Sequence, residues 1–292
     1  MSAAQCVVWD DQQALTAGVA RRIVDLVSDI QRNGGVGGTQ GADGFARIVL
    51  TGGGAGIGVL TELAVLDHAA RETADSFPVA AVDWNRVHVF FGDERYVPAD
   101  HPERNEGQAD AALLDHVGIP PQHVHRYAVP AEGEDPTGPG LDAAAEAYAR
   151  TLTEFAPSGF DLHLLGMGPE GHVNSLFPHT PELDATATVV PVRDCPKPPP
   201  ERVSLTLDAV RSARQVWLLA CGDAKREAAG HAVSGDDPSR WPAARARGSE
   251  APVVHEDHAA DPSRPVRHSR HPRVVPMNHP GVSCDLPTSY RS

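Results

Sequence analysis

The sequence predicts an α/β protein with a mostly parallel sheet covered by helices on both faces. Three observations carry this expectation. Short apolar runs recur along the chain, helical patterns lie between them, and the runs end in glycine-rich or charged turns. Strands that alternate with helices in this way are the grammar of β-α units. Leu15, Val19, Ile23, Leu26, Val27 and Ile30 fall at helical spacing, so 12–31 is read as an amphipathic helix. NGGVGGTQGADG then reads as a glycine-rich loop. ARIVL, TGGGAGIG and VLTELAVLDHAARET follow as strand, turn and helix. VHVFFGDER and FDLHLLGMGPEGH are further strands ending in polar clusters, with the helical pattern LDAAAEAYARTLTEF between them. ARQVWLLACGDAKREAAGHA supplies another strand, a turn and a helix.

Composition narrows the function classes. The chain has 292 residues, 41% of them hydrophobic, and a formal net charge of −14. That excess of acid argues against a general nucleic-acid binder, which needs a basic face for phosphates. An anionic substrate must therefore be held by a few local cations. No run approaches the roughly 18 apolar residues of a membrane helix, and MSAAQCVVWDD lacks the basic and apolar regions of a secretory signal. Cys6, Cys195, Cys221 and Cys284 are scattered and form no CxxC pair, so neither a zinc ribbon nor a disulfide framework is expected. The expectation is a cytoplasmic monomer with no nucleic-acid or membrane partner.

One domain is expected over 1–250, with a different segment over 251–292. That last stretch holds 7 of the 26 prolines and 5 of the 15 histidines, with no Phe, Ile or Trp. It shows no apolar period and reads as a disordered tail.

Ligand sites of open parallel sheets lie beyond the carboxyl ends of the strands. The polar motifs fall there: GGG at 52–54, GDER at 92–95, GMGPEGH at 166–172 and CGDAK at 221–225. Gly52, Gly53 and Gly54 form either a tight strand-to-helix turn or a cradle whose backbone amides attract phosphate. The turn is no dinucleotide fingerprint, since no register fits GxGxxG. It is no P-loop either, because Val59 and Leu60 stand where Lys and Ser/Thr belong. Asp93, Glu94 and Arg95 read as an ion-pair cluster or as substrate contacts, Arg95 offering a planar, permanently charged fork. His172 is the strongest candidate. Imidazole titrates near neutrality and can take a proton from water and return it to a leaving oxygen. Glu170, two residues earlier, can orient the ring. Arg202, at the mouth of VSLTL, and Lys225, at the opening of a helix, complete with Arg95 a possible clamp for one phosphate. His123 and His125 form an HxH pattern without a third ligand, so no metal site is expected.

The ordered set LTGGG, FFGDERYVPADHPERN, FDLHLLGMGPEGHVNSLFP, PPPERVSLTLDAV and CGDAKREA resembles the 6-phosphogluconolactonase family over about residues 10–248. The resemblance implies a three-layer α/β/α, modified Rossmann-like fold, shared with glucosamine-6-phosphate deaminases and ribose-5-phosphate isomerases. It also implies hydrolysis of 6-phosphogluconolactone to 6-phosphogluconate, in the oxidative pentose phosphate pathway, without metal or organic cofactor. By the same resemblance His172 is the catalytic histidine, and Glu170 and Asp93 are expected beside it as further catalytic residues. Gly52, Gly53, Gly54, Arg95, Arg202 and Lys225 then hold the sugar phosphate.

The chain departs from that pattern in places. Glu170 stands where many relatives carry Asp, and Asn174 where Ala or Thr is common. After PAARARG the family continues into an apolar segment resembling TLWLLDEAA, whereas GSEAPVVHEDHAADPSR follows here. A change of reading frame near residue 250 is the hypothesis this suggests, with the loss of an edge strand as its consequence. Resequencing the coding DNA settles it, an unshifted frame together with a matching protein mass removing the idea. Two other readings compete for the whole chain. One is a glucosamine-6-phosphate deaminase-type enzyme, disfavoured by Arg95 and by VNSLFP. The other is a non-catalytic sugar-phosphate sensor, which leaves His172 without a purpose.

Overall fold

The computed structural model describes residues 4–36, 43–73, 81–257 and 273–275. The chain opens with β1 (Gln5–Trp9) and α1 (Gln12–Asn33). Asp11 caps α1, its carboxylate accepting the Ala14 N–H at 2.7 Å. Then come β2 (Ala46–Leu50), α2 (Gly53–Thr73) and β3 (Val87–Phe91). Next are β4 (Asp93–Arg95), α3 (Asn105–Ala109), α4 (Pro139–Phe155) and β5 (Leu162–Gly166). The chain continues through β6 (Val189–Val192), β7 (Arg202–Leu205), α5 (Leu207–Arg211), β8 (Gln215–Ala220) and α6 (Arg226–Ser234). It ends with β9 (Val253–Asp257) and β10 (Arg273–Val275).

Seven strands form the main sheet in the order β10-β1-β9-β8-β5-β2-β3, all parallel except β10. Strands buried on both faces read as continuous apolar runs, and every residue of β2 is buried. The links β1-α1-β2 and β2-α2-β3 run one way along this order, and β8-α6-β9 runs the other. Right-handed crossovers then put α1 and α2 on one face and α6 on the opposite one. The direction reverses between β2 and β5, which are neighbours. That reversal is the topological switch point, where a crevice opens beyond the strand ends. No helix among the described residues is long and apolar enough to cross a membrane.

A second, antiparallel sheet, β4-β7-β6, is absent from the sequence expectation. VHVFFGDER is not one strand. It breaks at Gly92, whose N–H reaches Leu50 O of the main sheet at 3.1 Å while its carbonyl accepts the Leu205 N–H of β7 at 2.8 Å. A Cβ at Gly92 would overlap the Asn174 side chain. The chain therefore changes sheets at a residue that lets two elements close on it.

The expected tail from residue 251 needs correction. Val253–Asp257 form β9, an interior strand in parallel register with β1 and β8. The sheet has not lost a strand at this point, and the body of the fold runs past 250. The segment looked polar because His255 and Glu256 are buried inside it. His255 is fully buried, and its Nδ1 accepts the Trp9 Nε1–H at 3.2 Å. The rest of the expected tail, 258–272 and 276–292, lies outside the described residues, as does most of the glycine-rich loop, 37–42.

Buried imidazoles give the fold a pH dependence. Burial pushes His163 and His255 down to about 3, and His88 and His125 to about 4, with His123 as a further repelling neighbour of His88 and His88 of His125. An unfolded histidine titrates at roughly 6.5. The unfolded chain therefore binds more protons as pH falls, and the histidines' contribution to stability is intact above that value and lost progressively toward about pH 3. Thermal melts across this window should show a steadily falling midpoint, and a flat profile would count against the burial of these rings. A chain stopped after residue 250 should also fail to give a cooperative melt, because β1 and β8 would both lose their neighbour.

Candidate active site

The switch-point crevice is built first from two loops. At the end of β2 the chain turns through Thr51, Gly52 and Gly53 into α2. Gly53 has φ of +78°, a conformation open to glycine. Gly52 is required for a different reason, since a Cβ there would overlap the Asn105 side chain. The backbone N–H groups of the first turn of this 21-residue helix carry its positive dipole end toward the crevice. At the end of β5, the Gly166 N–H donates to Thr51 Oγ1 at 2.9 Å and ties the two loops together.

Beyond Gly166 the chain folds back on itself. The Gly171 N–H reaches Gly168 O at 2.9 Å, and Gly171 has φ of +79° against the Trp241 ring. A Cβ at Gly168 would overlap both His172 and Glu170. These glycines let His172 Nδ1 meet Glu170 Oε1 at 3.0 Å. A turn closed by Leu176 N–H to Val173 O returns Phe177, which stacks on the imidazole with centroids 4.3 Å apart. The ring is thus held on an edge and on a face, with Nδ1 facing the carboxylate.

Lys197, unnoticed in the sequence within the run PKPPPE, joins this pair. Its ammonium lies 2.9 Å from Glu170 Oε1 and 3.4 Å from His172 Nδ1. Burial, with Lys197 next, pushes His172 down to about 4 against the opposing pull of Glu170 and Asp93. Partial burial works to raise the Glu170 carboxyl, but the Lys197 hydrogen bond, a backbone hydrogen bond and the His172 and Lys197 charges together outweigh it and hold the group below its usual range. At neutral pH the result is an ionised Glu170 beside a neutral imidazole. With Nδ1–H donated to Glu170, Nε2 keeps a lone pair and can accept a proton.

Two of the cations, Arg95 and Arg202, come from the second sheet. Register in the β4-β7 pair sets Arg95 directly opposite Arg202. Like charges in that position repel, and the surroundings counter it. Asp93 Oδ2 lies 3.8 Å from Arg202 Nη1 and accepts the Ser175 hydroxyl at 2.6 Å. Asp93 also accepts from Asn105 Nδ2, through its main-chain carbonyl at 2.8 Å and Oδ1 at 3.3 Å. Asn105 Oδ1 in turn accepts from Arg95 Nη1. Arg202 is buried, with Nε bonded to Pro199 O and Nη2 to Lys197 O, each at 3.0 Å. It holds the Lys197 loop while its Nη1 side remains toward Asp93. The Nε of Arg95 is buried and has no hydrogen-bond partner among the described residues. An anion would satisfy it.

Asn105 is the hub that the sequence did not reveal. Its N–H and that of Glu106 are capped by Glu94, at 2.9 Å each. Glu94 is itself buried beside Arg104 and Glu106, and Arg104 Nη2 meets Glu106 Oε2 at 2.7 Å. Burial, then the Glu106 charge, pushes Glu94 up to about 7. Lys225 ends the turn after β8 and is half-buried. Burial lowers its ammonium, with Cys221, Lys197, Asp257 and Glu170 all within electrostatic reach. His123 and His125 lie elsewhere, in a ring cluster with His88 and Phe45 near the amino end of β3.

Residues 10–254 match the family described as glucosamine-6-phosphate isomerases/6-phosphogluconolactonase. The chain is 45% identical over 249 residues to the 6-phosphogluconolactonase of Mycobacterium tuberculosis, spanning 83% of this chain and 91% of that one. It is 50% identical over 211 residues to the Mycobacterium leprae 6-phosphogluconolactonase, across 70% of this chain and 79% of the relative. In three dimensions it is similar to the crystal structure of 6-phosphogluconolactonase from Thermotoga maritima. That match has a TM-score of 0.68 at 27% identity and covers 87% of this chain and 99% of the other.

Two glycine substitutions test the geometry. Gly168→Ala should collapse turnover by forcing His172 and Glu170 apart. Gly52→Ala should displace Asn105 and Arg95 and weaken binding of a phosphorylated ligand. Normal kinetic constants in both variants, measured on folded protein, would refute this arrangement.

Proposed function

The chain belongs to the family of glucosamine-6-phosphate isomerases and 6-phosphogluconolactonases, and from that premise we propose that it hydrolyses 6-phosphogluconolactone to 6-phosphogluconate. The observation that carries the reading is a neutral histidine, oriented by a carboxylate, opening on the same crevice as a helix N-terminus and a set of cations. Ester hydrolysis with a remote phosphate needs these parts.

In this reading the phosphate is taken by the amides of Gly52, Gly53 and Gly54 together with Arg95, Arg202 and Lys225. Binding at that remote group orients the lactone carbonyl, so that orientation is settled before the chemical step. His172 Nε2 removes a proton from water as its oxygen bonds to the carbonyl carbon. The carbonyl π electrons move onto oxygen, giving a tetrahedral oxyanion. As this collapses, the bond to the ring oxygen breaks and the imidazolium returns its proton to that oxygen. The product is the open-chain acid, and the histidine ends neutral again. Glu170 orients the ring and stabilises the transient imidazolium, the role of a carboxylate behind a catalytic histidine. Asp93 acts through Arg202, Asn105 and Ser175, not on the substrate. Lys197 keeps Glu170 ionised and discourages protonation of His172 in the free enzyme.

We read the protein as a cytoplasmic monomer acting on a small sugar phosphate, with no nucleic-acid partner. The net charge of −14 supports the last point, and Cys195 and Cys221, which form no disulfide among the described residues, support a reducing compartment.

A coupled assay on freshly generated lactone, corrected for spontaneous opening, is the direct test. His172→Ala should lower kcat by about 10²–10⁴-fold while leaving 6-phosphogluconate affinity nearly intact. Undiminished turnover would sink the assignment. Because the base must be unprotonated, kcat/KM for the free enzyme should hold through neutral pH and fall as pH drops through about 4. Arg95→Ala and Lys225→Ala should act mainly on KM.

A further inference from the structure

The carboxyl end of β9 carries an acid that the lactonase reading leaves unused. Asp257 Oδ1 accepts the Gly222 backbone N–H at 2.6 Å. The β8-β9 register explains the contact, since Ala220 stands opposite Glu256 and the next residues lie side by side. Gly222 has φ of +86° and opens the turn Asp223–Lys225, from which α6 begins. One glycine-hinged turn therefore separates the sheet from Lys225. A free hinge of this kind would not hold a cation at a fixed point.

We infer that Asp257 is a positioning residue of the phosphate site, holding the Gly222 hinge so that the Lys225 ammonium stays at the crevice. The inference rests on the reading of the site given above. A physical need supports it. Lys197 is already paired with Glu170 Oε1 at 2.9 Å, and its charge repels that of Lys225, which favours swinging the Lys225 ammonium toward solvent. A backbone anchor at Gly222 opposes that swing, and the Asp257 charge favours the ammonium beside it. The hydrogen bond is the principal part, because it acts on the hinge itself.

The test compares Asp257→Ala, Asp257→Asn, Lys225→Ala and the Asp257→Ala/Lys225→Ala double variant. Lactone KM and kcat are measured, along with calorimetric titration of inorganic phosphate and 6-phosphogluconate. Asp257→Ala should raise KM and weaken phosphate binding by about tenfold, the effect of losing one charge-assisted contact, with a much smaller change in kcat. Asp257→Asn keeps an oxygen for the Gly222 N–H and should recover most of the loss. In the Lys225→Ala background, Asp257→Ala should add nothing further. Phosphate affinity unaltered in Asp257→Ala, or losses that multiply in the double variant, would overturn the inference. In the intact protein the Gly222 amide should exchange slowly with deuterium, and unprotected exchange overturns the anchor without any variant. Failure of the unmodified protein to open the lactone would instead reject the reaction, while the inorganic phosphate titrations still decide for Asp257.

Discussion

Arg95 and Arg202 face each other across an antiparallel ladder, and the site depends on how that repulsion is managed. Placing two guanidinium groups opposite one another is unfavourable until something negative or dipolar shares the space. Asp93 lies against Arg202, and Asn105 presents a carbonyl oxygen to Arg95. Both partners are themselves fixed, Asp93 by Ser175 from the histidine loop and Asn105 by Glu94 beneath it. The pair is thus held in place, with the Nε of Arg95 still left for an anion. The Ser175 bond also makes the cation sheet and the histidine loop one mechanical unit.

The histidine presents the complementary problem. A base must be neutral before the reaction and tolerated as a cation during it. Burial and Lys197 favour the first state, Glu170 the second, and the opposing influences leave the resting ring unprotonated. Stacking on Phe177 removes the ring's freedom to turn. A longer carboxylate at 170 therefore still reaches Nδ1, because the glycines at 168 and 171 let the loop fold tightly around it.

The buried Glu94–Arg104–Glu106 group shows what such positioning costs. Two carboxylates share one guanidinium in the interior, and burial raises both acids above their ordinary range. Replacing buried ions by apolar groups often stabilises a protein. Here the ions hold backbone N–H groups that no apolar residue could hold, those of Arg95, Asn105, Glu106 and Tyr127. The group trades stability for a fixed loop beside the crevice.

The strand–helix alternation, the glycine turns and the placing of His172, Glu170 and the cations at strand ends were legible in the sequence, because local periodicity and backbone chemistry leave marks within a few residues. The switch point between β2 and β5 was not, since strand order is a non-local choice. Nor was the antiparallel sheet, whose short strands hide inside motifs read for their charge. Asn105 and Lys197 escaped for a similar reason. An asparagine after a proline-rich loop and a lysine between prolines look like surface residues until their contacts, 10 and 27 positions away, are known. β9 is the sharpest case. Two valines followed by His, Glu and Asp carry too weak a pattern to declare a strand, yet β1 and β8 leave one gap between them that only a paired backbone can fill. The sequence by itself determined which groups could act as base, orienting acid and phosphate clamp. Tertiary structure decided which of them meet, because register and strand order bring distant positions within hydrogen-bonding reach.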